Sequence, residues 1–192
     1  HQSSYGLEAA GVLAACVAKA FQPDVTVEDI IDTAIELAKD GTKQAIIAVT
    51  NAAKEMKAKD STMDDVVAAF QEAILPYSPM EDDVSRRIEK VGIPSNHYAP
   101  SRLGSIEELP FALGFILYND GAYYKSLYDG INSGRDTDSI GVMIGVILGA
   151  MYGASVVKTE DVRLLESTNK LDFDDITDEF AKTATEIIKN DI

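Results

Sequence analysis

The chain is short of cysteine and of basic groups, and it lacks the alternating runs that build sheets; each shortage removes a class of structure or partner. Its single thiol, Cys16, cannot form an intrachain disulfide. The alanine-rich, apolar setting of that residue (Ala14, Ala15, Val17, Ala18) predicts a buried, inert side chain rather than an activated thiolate. Seventeen Lys and Arg against 32 Asp and Glu leave a formal net charge of -15. Nucleic acid is therefore not expected as a partner, because binding a phosphate backbone relies on clustered cations that release counterions. A phosphorylated small molecule stays open, since backbone N–H groups and bound cations supply positive field locally. The opening residues carry no basic stretch followed by an apolar one, so a cytoplasmic location is the expectation.

What is present is helical pattern on a chain long enough for one globular domain: 192 residues, 46% hydrophobic and 26% charged. Residues 5–21 are Ala-rich and apolar on most sides, which predicts a central helix buried among others. Thr26, Glu28 and Asp29 open a second helix as cap and acidic first turn. Its apolar positions Ile30, Ile31, Ala34, Ile35 and Ala38 recur at helical spacing, and Gly41 reads as its stop. A third helix is predicted from Thr42 to about Lys59, and Thr62 caps a fourth that runs into Leu75. Pro76, Pro79, Pro94 and Pro100 then break up a loop-rich middle with one short helix over residues 80–91. Helices resume over 106–118, with Pro110 in the first turn, over 122–131, over 139–153, and as an amphipathic tail over 174–188. The expected class is all-α, a compact multi-helix bundle.

One stretch, residues 139–157, has no charge and approaches the roughly 20 apolar residues that span a bilayer. The two aspartates just upstream, the lack of a second apolar span and the amphipathic character of the remainder favour a soluble, central, buried helix and no membrane. Gly141, Gly145, Gly149 and Gly153, spaced by four, would present a smooth stripe to a neighbouring helix.

Asp136 and Asp138 stand two apart immediately before that helix, with Ser139 at its expected N-cap. Such spacing in a turning backbone aims two carboxylates at one ion, and a hydroxyl adds a neutral oxygen of the kind hard cations take. The same residues also serve as an ordinary cap and acidic first turn, and spacing alone leaves both readings open. Similar acidic clusters at residues 62–65 and 174–178 read as caps.

The longer run Asn132, Ser133, Gly134, Arg135, Asp136, Thr137, Asp138, Ser139, Ile140, continued by Gly145, Gly149, Ala150 and Gly153, resembles the C-terminal signature of the ADP-ribosylglycohydrolase family, approximately Asn-x-Gly-Gly-Asp-Thr-Asp-Thr followed by a Gly- and Ala-rich helix. The segment from Gly104 to Leu113 looks like the family's Glu-Ser-Val-Pro-x-Ala segment, and residues 1–10 are similar to the region after its Thr-His pair. The resemblance implies an all-α fold with a two-ion centre, Mg2+ or alternatively Mn2+, which helps hydrolyse the bond between ADP-ribose and a modified protein or small molecule. Asp136, Asp138 and Ser139 would then be metal ligands, Ser139 keeping the hydroxyl of the more usual Thr. Ser133 and Gly134 would line the substrate through their backbone, Gly104 and Ser105 would form another wall, and His1 would lie near the nucleotide. Arg135 replaces a usual glycine and could reach a phosphate. The family's other ligands belong to an N-terminal half not matched here, so the chain is expected to be the C-terminal portion of a larger domain completed by a preceding segment or companion chain. The general acid or base is unassigned; His97 is a candidate, but its loop context favours a surface histidine. The alternative function is a catalytically inactive nucleotide-binding or regulatory protein of the same fold.

Overall fold

The computed structural model describes residues 4–78, 105–134 and 136–191. Every described element is helical, and no strand occurs among the described residues. The chain forms two compact units, residues 1–153 and 154–192.

In the first unit α1 spans Ser4–Ala20, α2 Val27–Leu37, α3 Asp40–Ala58, α4 Met63–Ile74, α5 Ser105–Tyr118, α6 Tyr123–Ile131 and α7 Thr137–Tyr152. The predicted caps form. Thr26 accepts from the Asp29 amide while Asp29 accepts from the Thr26 amide, and Thr62 and Asp65 repeat the arrangement at α4. Each such reciprocal cap satisfies two orphan N–H groups and stabilises its helix by about 1 kcal/mol.

Helix α3 starts differently from its sequence reading. Gly41 lies inside its first turn instead of stopping α2, and its N-cap, Lys39, makes no side-chain cap bond. Glu8, one turn into α1, takes over: its carboxylate accepts from the Lys39 amide and, at 3.2 Å, from the Thr42 hydroxyl. A carboxylate 31 residues away thus caps α3 and complements its positive end. Glu8→Ala is expected to lower the unfolding free energy by about 1–2 kcal/mol in urea titration, with Glu8→Gln retaining part of it.

The central helix is α5. It packs against each of α1, α2, α3, α4, α6 and α7, and all thirteen residues from Ser105 to Leu117 are buried. Phe70 of α4 and Phe111 and Phe115 of α5 form an aromatic cluster with centroid separations of 5.7, 4.9 and 6.4 Å, two of the three pairs edge-to-face. Pro110 is the sixth residue of α5, so it falls in the second turn and leaves the Ile106 carbonyl without its usual donor.

The central position predicted for α1 and α7 is therefore a correction. In α1, Ala9, Val12, Cys16 and Ala20 face inward while Ala10, Gly11, Ala14 and Ala18 are exposed, because small apolar residues cost little in water. In α7, Ile140, Ile144, Ile147 and Leu148 are buried, but Val142 is 63% and Val146 45% exposed, and Gly149 faces open space. Absence of charge made α7 look buried on every side; only one face is. Cys16 is fully buried, and burial pushes its thiol up to about 12, as its setting predicted. No described helix is long and apolar enough to cross a membrane.

The second unit contains a 3-10 turn, Ala154–Val156, then α8, Thr159–Asn169, and α9, Phe173–Asn190. Helix α8, absent from the sequence reading, ends on Lys170 in the left-handed conformation, and Glu166 accepts from the Phe173 amide at 3.0 Å across the link to α9. Asp172 caps α9, with Asp174 and Asp175 in its first turn, which confirms the capping role of that acidic segment. The predicted helix over residues 80–91 lies outside the described residues.

Candidate active site

The carboxylate segment is the turn between α6 and α7. Asn132 ends α6, its side-chain amide donating to the Tyr128 carbonyl at 2.8 Å, and Ser133, 3% exposed, donates its hydroxyl to the Gly130 carbonyl at 2.7 Å. Gly134 then adopts φ +86, a left-handed value that favours glycine, although a Cβ there would meet nothing within 4 Å. The demand is conformational. At Gly130 it is spatial instead: a Cβ would lie 2.5 Å from Ile144 Cδ1, so α6 and α7 approach closely just beneath the turn.

Helix α7 begins two residues earlier than its sequence pattern suggested. Asp136, not Ser139, occupies the N-cap, and Asp138 and Ser139 lie in the first turn. Asp136 is half-buried, Ser139 half-buried and Asp138 exposed. Partial burial works against ionisation of Asp136, but hydrogen bonding with Asp138, with the hydroxyl and amide of Ser139 and with Glu108 outweighs it and holds the carboxyl below its usual range. The three predicted ligands are thus together at one helix start, whose dipole favours their negative charge.

Glu108, to which the sequence reading gave no role, faces them from α5. Burial first, then the charge of Asp136 and a hydrogen bond with it, then the charges of Glu107 and Asp138, push its carboxyl up to about 7. Glu108 is 7% exposed and Glu107 5%, and Glu107 accepts from the Ser78 hydroxyl. One turn before Glu108, Ser105 is 6% exposed and its Oγ has no hydrogen-bond partner among the described residues. His1, Gly104, Arg135 and His97 lie outside the described residues.

A raised carboxyl has a definite thermodynamic sign. Glu108 binds its proton more tightly folded than unfolded, so its contribution is fully present below its ordinary value of 4.5 and is lost as pH rises through about 7. Asp136 has the opposite sign: its contribution is fully present above its ordinary value of 3.8 and is lost only as pH falls below it. Cation-free protein is therefore expected to lose about 2 kcal/mol between pH 4.5 and 7.5, after allowance for solvent screening, and Glu108→Gln to flatten that slope in urea titrations.

The donors suit a hard divalent cation: all are oxygens, and two carboxyls in hydrogen-bonding contact require a proton or a cation between them. Among the described residues, however, no three His, Cys, Asp or Glu side chains converge as a complete cation site. Asp136, Asp138 and Ser139, with Glu108 behind them, fit one side of such a site.

A family model described as ADP-ribosylglycohydrolase matches residues 1–189. The chain belongs to the ADP-ribosylglycohydrolase family. No curated protein and no solved structure matches it significantly. The all-α architecture agrees with that membership, which implies glycoside hydrolase activity of the ADP-ribosylglycohydrolase type and ADP-ribosylated substrates as the kind of partner.

Proposed function

We propose that this ADP-ribosylglycohydrolase-family chain hydrolyses the glycosidic bond between ADP-ribose and a modified protein or small molecule, in a reaction that depends on divalent cation at the Asp136 turn. The observation that supports it is the meeting of Glu108 with Asp136: a buried carboxyl pressed against a second one is a costly arrangement that a cation relieves. Asp136, Asp138 and Ser139 would hold the cation, Mg2+ in a two-ion arrangement or alternatively Mn2+. When bound, it supplies a Lewis acid that orients hydroxyl groups and activates water. The remaining ligands would come from outside the described residues.

The chain's own groups then do the following. Departure of the side-chain group builds positive oxocarbenium character on the ribose, and the Glu107, Glu108, Asp136 and Asp138 carboxyls provide a negative field for it. Ser105 offers a desolvated hydroxyl on the wall beside them, and the turn through Ser133 and Gly134 offers backbone groups for the ribose or phosphates. His1, Gly104 and Arg135 complete the proposed substrate contacts.

The test is release of free ADP-ribose from an arginine-ADP-ribosylated protein, followed chromatographically with Mg2+, with Mn2+ and with chelator. Cation-dependent release by the protein, completed by its upstream segment where one exists, supports the reading. Tight ADP-ribose binding without release would replace it with the non-catalytic binding protein.

A further inference from the structure

We draw no further inference here: the strongest candidate, the buried polar group of Ser105, Glu107 and Glu108 at the start of α5, belongs to the site already described, where Glu108 meets Asp136.

Discussion

Asp136→Ala is expected to lower Mg2+ affinity by at least roughly 100-fold in calorimetric titration and to remove cation-dependent release of ADP-ribose. The residue has two duties at once. It is the N-cap of α7, and its charged form is the one that Asp138, Ser139 and Glu108 all support by hydrogen bonding. Capping alone is a matter of about 1 kcal/mol, so a variant of near-native stability and no cation binding separates ligation from folding. Asp136→Asn keeps the size and some capping ability while removing the charge, and should fail in the same way. A substituted protein that still binds Mg2+ tightly would sink the assignment.

Phe115→Ala carries the largest expected cost in stability, about 3–5 kcal/mol by urea titration. Its ring is fully buried, lies 4.9 Å from Phe70 and 6.4 Å from Phe111 by centroid, and comes within 3.8 Å of where a Cβ on Gly130 would sit. The last contact places the hole under the α6–α7 approach, so the surviving folded fraction should also show weaker cation affinity. Since domains of this kind are stable by only about 5–15 kcal/mol, the substitution takes a large share of the total. An unfolding midpoint within error of the unsubstituted chain would refute the role given to the cluster.

Much of this was legible in the sequence, for local reasons. Reciprocal caps such as Thr26 with Asp29, and Thr62 with Asp65, are written within four residues, and the structure reproduces them. The Asp136, Asp138 and Ser139 group was readable because its members share one turn. What failed was non-local. Glu8 capping α3 across 31 residues has no signature in either segment, and so Gly41 was mistaken for a stop. Glu108 carries no local signal of a site; only the packing of α5 on α7 brings it to Asp136. Burial was misjudged for α1 and α7 because small or uncharged residues tolerate both interior and surface, whereas α5, carrying Glu107, Glu108 and a proline, proved the most enclosed.

That enclosure bears on how the site responds to ligand. A carboxylate on a loop can shift and leave the remainder of a protein undisturbed, but Glu108 belongs to a helix packed against six others, with no side facing water along its first thirteen residues. It cannot adjust alone. Whatever neutralises Glu108 and Asp136 acts on the same cooperative unit whose opening is global unfolding, so ligand occupancy and resistance to heat or urea rise together by mass action. The acidic turn thereby ties the stability of the first unit to what is bound there.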